Sequence, residues 1–108
     1  KIDGTAIRVP TPNVSAVDLT FLALTKTDKT TLQNVFTKYA EGILKGILST
    51  ESTPLVSSDF NGNIHSCIVD LEQINVVDET LCRVFAWYDN EWGFANRMLD
   101  VAKKLAVL

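Results

Sequence analysis

The fold is decided by one stretch, LCRVFAWYDNEWGF at residues 81–94, in which a predicted strand leads directly into a helix. Its first part is rich in branched and aromatic residues, as is typical of strands. Phe85 and Trp87 would face one side of the strand and Ala86 the other, so we expect both sides to be buried. A strand is therefore predicted at Leu81–Tyr88.

The helix after this strand is predicted from apolar side chains at helical spacing, with Asp89 or Asn90 as its cap. An earlier helix is predicted from Thr27, capped by Thr27 or Asp28, with Gly42 in the left-handed conformation past its end. The apolar stripe of the later helix is Ala95, Met98, Leu99, Ala102 and Leu105 or Ala106, and that of the earlier helix is Leu32, Val35, Phe36, Tyr39 and Ala40.

The remaining segments have strand patterns. Ala6–Leu24 is predicted to hold two extended stretches, separated by the rigid Pro10–Asn13 turn. Short strands are also predicted at Leu55–Phe60, Ser66–Val69 and Ile74–Val77. The predicted fold class is α+β, with a mixed, largely antiparallel sheet and helices packed on one face, and residues 1–108 form one unit.

Length and composition exclude several classes of protein. A chain of 108 residues with 46% apolar and 21% charged residues is typical of one globular domain. Charged residues interrupt every apolar run, which argues against a membrane span, and a net charge of -3 argues against nucleic-acid binding. Cys67 and Cys82 lie in apolar segments, so we expect reduced cysteines and a cytoplasmic location. The start at Lys1, without a Met, suggests a segment of something longer.

Residue types alone predict no complete catalytic site. The chain has neither a glycine-rich dinucleotide motif nor a Walker phosphate loop, and its two cysteines and one histidine cannot form a zinc site. His65 and Cys67 would share one face of a strand, but nothing would orient the base, so we expect His65 to bond near a turn. Asp59 and Asp70 are expected to accept hydrogen bonds from turn amides.

Two segments remain as candidates for binding. Arg8, between two apolar residues before the proline turn, would bind phosphate or carboxylate, or else form a salt bridge within the chain. At 87–94 the predicted strand passes into a helix among four aromatic residues. Asp89 or Asn90 would either only cap this helix or contact a ligand there.

Three runs of the sequence resemble phosphorylating glyceraldehyde-3-phosphate dehydrogenases, in that family's order. They are AIRVPTPNVS at 6–15, followed by VDL at 17–19, then PLVSSDFN at 54–61 and WYDNEWG at 87–93. The resemblance covers nearly the whole chain and is to the C-terminal part of the catalytic domain. It implies that the Rossmann NAD-binding domain, the nucleophilic cysteine and its partner histidine all lie outside this chain.

The resemblance also implies roles for individual residues. Arg8 would contact the substrate phosphate, and Asn90 would contact the nicotinamide carboxamide of NAD and orient the ring for hydride transfer. Phe94 stands where many members have tyrosine, so its ring would pack at the nicotinamide end without a hydroxyl. Neither Cys67 nor Cys82 would be the nucleophile, and no metal is implied.

The enzyme implied by the resemblance oxidises glyceraldehyde 3-phosphate to 1,3-bisphosphoglycerate in glycolysis, with NAD and inorganic phosphate, as a homotetramer. This chain alone is expected to be inactive. The run at 92–100 also resembles erythrose-4-phosphate dehydrogenases, whereas Pro12 and Tyr88 favour the glyceraldehyde-3-phosphate enzymes. A third hypothesis is a non-catalytic domain with a structural or assembly role.

Overall fold

The structure, a computed structural model, describes residues 2–107, which form five strands and two helices. A short 3-10 turn, Ser57–Phe60, lies between the second and third strands. In chain order the elements are β1 (Ser15–Leu22), α1 (Lys29–Glu41), β2 (Leu48–Glu51), β3 (Cys67–Asp70), β4 (Asn75–Val77), β5 (Leu81–Tyr88) and α2 (Trp92–Leu105).

Strand β5 organises the sheet. It pairs antiparallel with β1 along one edge and with β3 and β4 along the other, and β2 extends the sheet by running parallel to β3. The register places Leu19 opposite Val84, and Val69 opposite Ala86. The predicted α+β class with a mixed, largely antiparallel sheet is therefore confirmed.

The larger hydrophobic core lies between one face of this sheet and α1. Val69, Val84 and Ala86 are buried on the sheet, and Leu32 and Phe36 of α1 pack against them. These α1 residues belong to the stripe predicted from sequence, because a helix buries only the face that its apolar spacing lines up. The core thus fixes α1 on one side of the sheet.

Helix α1 begins as predicted but ends differently. The Asp28 side chain accepts a hydrogen bond from the Thr31 amide at 2.7 Å, which confirms Asp28 as a cap. Gly42 has a φ of -104°, so its predicted left-handed conformation is wrong. The turn continues because Leu44 N–H donates to the Tyr39 carbonyl, and Gly46, with a φ of 79°, takes the left-handed conformation.

A smaller core covers the other face near the end of β5. The Trp87 ring stacks on Phe60 of the 3-10 turn with centroids 5.7 Å apart, and Val14 and Ile68 are buried beside them. Both faces of β5 are therefore covered close to Tyr88, where the strand ends. This packing holds the start of the following turn in place.

Two predicted strands are wrong. Within Ala6–Leu24 only β1 forms, and residues 2–9 have no regular structure and are exposed, because no strand among the described residues pairs with them. Leu55–Phe60 forms the 3-10 turn instead, in which the Asp59 carboxylate accepts a hydrogen bond from the Val56 amide at 2.7 Å. Strand β2, which pairs parallel with β3, was not predicted.

Helix α2 leaves most of its apolar stripe exposed. Met98, Leu99 and Leu105 are each more than half exposed, and the only buried residue of α2 is Gly93. The stripe is therefore available for packing beyond the sheet. No helix within residues 2–107 has the length and apolar character needed to cross a membrane.

Candidate functional site

A cleft of about 190 Å³ lies where β5 ends and α2 begins. Gly93 allows the start of α2 to approach the segment just before β3, because a Cβ atom there would lie 3.0 Å from the His65 carbonyl oxygen. This volume is below the roughly 300–1,000 Å³ of a complete small-molecule site, so the cleft is suited to one part of a ligand. Its lining residues are Ser66, Tyr88, Asp89, Asn90, Gly93, Phe94 and Arg97.

Asp89 is a buried carboxylate, only 4% exposed, at the back of this corner. Its Oδ1 accepts a hydrogen bond from the Trp92 amide at 3.0 Å, and its Oδ2 accepts from the Gly62 amide at 2.9 Å and from Asn13 Nδ2 at 3.0 Å. The amides of Trp92 and Gly62 lower the pKa of this carboxyl. Asp89 therefore stays ionised and supplies the capping oxygen of α2.

Acid should weaken the fold through such carboxylates. Amide hydrogen bonds lower the pKa of Asp28 and Asp89, and the Arg83 side chain lowers that of Asp18. Each binds fewer protons when folded than when unfolded, so its stabilisation is present above the ordinary pKa of about 3.9 and is lost as pH falls through the lowered value. Burial, with the nearby Arg97, also lowers the pKa of His65, so the unfolded chain takes up this proton first. We expect the free energy of unfolding, measured with urea, to begin to fall as pH drops through about 6.5 and to fall further below about pH 4.

The Asp89→Asn variant tests how much of the loss of stability in acid comes from the Asp89 carboxyl. Its unfolding free energy should be lower at neutral pH and should decline less steeply in acid, since the group that would bind the extra proton is gone. An unchanged acid slope would contradict a lowered pKa at Asp89.

Asn90 is exposed at the mouth of the cleft. The sequence did not decide whether Asp89 or Asn90 caps α2. In the structure the Asp89 carboxylate is the cap, since it accepts a hydrogen bond from the Trp92 amide. Among residues 2–107 the Asn90 side chain forms no hydrogen bond, so its amide donor and acceptor are both available. Phe94, which lies one helical turn later and is 66% exposed, lines the same cleft.

Arg8 lies in the irregular segment before β1, and the predicted strand around it is wrong. It is exposed and makes no ion pair within the part of the chain that the structure describes, so the predicted internal salt bridge is absent there. Arg8 does not line the cleft. The residues that follow it do reach the corner, since Asn13 donates to Asp89.

The histidine and cysteine pair has no catalytic geometry. His65 Nδ1 lies 2.8 Å from Asn63 Oδ1, which confirms the expected bond near a turn. Cys67 packs against the larger core, and burial raises the pKa of its thiol, which keeps the sulfur protonated and unreactive. Within residues 2–107 no cluster of acidic, histidine and cysteine side chains could hold a metal ion.

The other carboxylates singled out from sequence serve the backbone. Asp59 accepts from the Val56 amide, and Asp70 accepts from the Glu72 and Gln73 amides at 3.1 and 3.2 Å. These contacts confirm the predicted turn bonds. They leave the corner around Asp89 as the one place where several of the predicted site residues meet.

Comparison with known proteins identifies the family of the chain. Residues 1–90, which include both Arg8 and Asn90, match the family described as "Glyceraldehyde 3-phosphate dehydrogenase, C-terminal domain". The chain belongs to this family. The resemblance seen in the three sequence runs is confirmed.

Relatives of this glyceraldehyde 3-phosphate dehydrogenase domain match along nearly all of its length. The chain is 50% identical to a glyceraldehyde-3-phosphate dehydrogenase of Xanthobacter flavus, covering 100% of the chain and 32% of that protein. It is 52% identical to the chromosomal enzyme of Cupriavidus necator, with 98% and 31% covered. The chain thus spans about a third of the length of these relatives.

Two residues of this family member that lie at the site were not identified from the sequence. Asn13 was predicted only as part of a turn, and Arg97 was not singled out, although its Nη1 donates to the Gly46 carbonyl at 2.8 Å and its Nη2 pairs with Asp100. Arg97 lines the cleft and ties α2 to the turn before β2. The sequence around Arg97 carries no signal for it, because Asp100 lies one turn later on the same face and makes it look like an ordinary surface ion pair.

Proposed function

We propose that this chain is the C-terminal part of the catalytic domain of a phosphorylating glyceraldehyde-3-phosphate dehydrogenase that uses NAD. The parent enzyme would oxidise glyceraldehyde 3-phosphate to 1,3-bisphosphoglycerate in glycolysis. The observation that carries the proposal is the free carboxamide of Asn90 at the cleft, since Asp89 performs the capping that would otherwise occupy it. The Rossmann domain, the nucleophilic thiol and the base would belong to the rest of the parent.

The residues at the cleft fit the nicotinamide end of NAD. Asn90 offers an amide donor and acceptor to a carboxamide, and the exposed Phe94 ring offers an apolar surface to a flat heterocycle. NAD supplies the hydride acceptor when it is bound. Asn90 and Phe94 would hold the ring in one orientation, which lowers the entropic part of the barrier.

Arg8 would bind the phosphate of the substrate. Its guanidinium is exposed and unpaired within residues 2–107, and the planar group can donate two parallel hydrogen bonds to phosphate oxygens. With its phosphate bound by Arg8, the substrate would place its aldehyde carbon at a fixed distance from the nucleophilic thiolate of the parent enzyme. Attack by that thiolate, hydride transfer and phosphorolysis of the thioester would then follow.

Several surfaces support a place within a larger protein. The apolar stripe of α2 is exposed, and an apolar groove of about 290 Å³ lies between α1 and β1, with Val17 and Leu19 about half exposed in it. Exposed apolar surface of this kind typically marks contact with other protein. The sheet face opposite α1 carries the solvent-accessible Asp18–Arg83 ion pair, and we propose this face for subunit contacts in a homotetramer.

Two alternatives from the sequence have less support. The relatives from Xanthobacter flavus and Cupriavidus necator are named for glyceraldehyde 3-phosphate, which favours that substrate over erythrose 4-phosphate. The free carboxamide at the cleft favours a binding role over a purely structural one. Free Cys67 and Cys82 favour a reducing compartment, and we propose the cytoplasm.

The Asn90→Asp variant of the full-length enzyme tests this proposal. A carboxylate at this position cannot donate to the nicotinamide carboxamide, so we expect hydride transfer, measured as NADH formation, to fall roughly 10- to 100-fold. The melting temperature should be unchanged, because Asp89 caps the helix. Asn75→Asp, the same change in β4, which pairs with the start of β5 and lies away from the cleft, is the control and should leave the rate unchanged. Lost stability with a preserved rate would refute the role of Asn90.

A further inference from the structure

Three segments that are far apart in sequence meet at Asp89. The carboxylate bonds to Asn13, 76 positions earlier, to Gly62, 27 positions earlier, and to Trp92 in the first turn of α2. Asn13 ends the proline turn that follows Arg8, while Asn90 is the next residue after Asp89. Both binding residues of the proposed site are thus close in sequence to a partner of this carboxylate.

We propose that Asp89 is a positioning residue that sets the substrate-phosphate segment and the nicotinamide-binding turn relative to each other. Through Asn13 it holds the segment that carries Arg8, and through the Trp92 amide it fixes the turn that carries Asn90. The inference rests on the proposed function, because it concerns how Arg8 and Asn90 are brought to one substrate.

The chemistry of the three bonds requires a short carboxylate. All three partners donate, so the side chain must accept on both oxygens, which an amide cannot do without turning its NH₂ toward a donor. A buried carboxylate is stable only when such bonds replace its water. The positive end of α2 favours the same charge. Serine at position 89 would retain the cap but would not reach Asn13 and Gly62.

The segment before β1 has few other attachments near Arg8. Thr11 Oγ1 lies 3.3 Å from Ser57 Oγ, and that hydroxyl donates to the Val14 carbonyl at 3.0 Å. Residues 2–9 have no regular structure and are exposed. Val14, the residue after Asn13, is buried in the smaller core and holds the end of the segment. Loss of the Asn13 bond should therefore shift the part that carries Arg8 without unfolding the segment.

The test uses the full-length dehydrogenase and two readouts. The phosphate preference is kcat/KM for glyceraldehyde 3-phosphate divided by kcat/KM for glyceraldehyde, which lacks the phosphate. The second readout is the rate of NADH formation from glyceraldehyde at saturating NAD, which reports the nicotinamide side alone. The variants are Asp89→Ser, Asp89→Ala, Asn13→Ala and Asn13→Ala with Asp89→Ser.

We expect Asn13→Ala to lower the phosphate preference about tenfold while the glyceraldehyde rate is retained, and Asp89→Ser to lower the phosphate preference at least as much. The double variant should have the phosphate preference of Asp89→Ser alone, because Asp89→Ser already removes the bond that Asn13→Ala would remove. Asp89→Ala should also lower the glyceraldehyde rate, since the cap beside Asn90 is lost. Asp28→Ala, which removes the capping carboxylate of α1, should lower the melting temperature and change neither readout.

Three outcomes would overturn the inference. The first is an unchanged phosphate preference in Asn13→Ala and Asp89→Ser, and the second is additive losses in the double variant. The third is an Asp89→Ala variant that melts earlier with both readouts intact, as a purely structural role requires. If Arg8→Leu lowers the phosphate preference while these variants do not, only the coupling fails. If Arg8→Leu has no effect either, the proposed function fails with it.

Discussion

Residues 1–108 expressed alone are expected to form no NADH from glyceraldehyde 3-phosphate, phosphate and NAD. The reaction needs a thiolate, whereas burial raises the pKa of Cys67, and Cys82 is fully buried at the core. The single histidine, His65, is bonded to Asn63 at a turn. The cleft at Asn90 is also too small to hold a whole dinucleotide.

The same assay on the full-length protein is the positive control for this expectation. The isolated chain must first give a folded circular dichroism spectrum, so that missing activity is not mistaken for missing structure. Turnover on the order of 1 to 1,000 per second, as ordinary enzymes show, would mean that this segment holds a complete active site.

In the full-length enzyme, Arg8→Leu should lower kcat/KM for glyceraldehyde 3-phosphate by roughly 10- to 150-fold, the equivalent of a charge-assisted hydrogen bond of about 1.5 to 3 kcal/mol. Leucine retains bulk at this exposed position but cannot bind an anion. Stability should not change, since Arg8 forms no ion pair within residues 2–107.

Glyceraldehyde without phosphate separates binding of the phosphate from support of the site. Its kcat/KM should barely change in Arg8→Leu, because it has no group for the guanidinium to hold. Lys38→Leu, which removes an exposed positive charge from α1, is the matched control and should affect neither substrate. Equal losses on both substrates would show that Arg8 supports the structure of the site and does not bind phosphate.

The elements that sequence predicted well are those whose pattern is local. Leu81–Tyr88 forms β5 with the predicted bounds, but the expectation that both sides are buried is wrong for most of the strand, because the face that carries Arg83 is only partly covered. The Asp28 cap was found because helix caps involve neighbours in sequence. Strand β2 was missed because its pattern is short and its partner, β3, lies across a long connection. The segment around Ile7 alternates like a strand, yet a strand needs a partner, and local pattern cannot supply one.

The candidate site was predicted only in part, because some of its contacts join residues that are far apart in sequence. Arg8 and Asn90 were candidates from residue types, and resemblance to a family, which fixes residue types in order along the chain, gave them roles and added Phe94. The bond between Asn13 and Asp89 spans 76 positions, and nothing in either local sequence indicates it. Asp89 could be predicted as a helix cap, but its second oxygen and the partners of that oxygen depend on tertiary packing.

Strand β5 also limits how this sequence can change in length. It pairs with β1, β3 and β4, so an inserted or deleted residue would turn every later side chain of the strand to the opposite face against three partners at once. It would also rotate Asn90 away from the cleft, since this residue follows the strand by only two positions. Insertions are therefore restricted to exposed connections such as residues 52–54, where neither the register nor the corner depends on length.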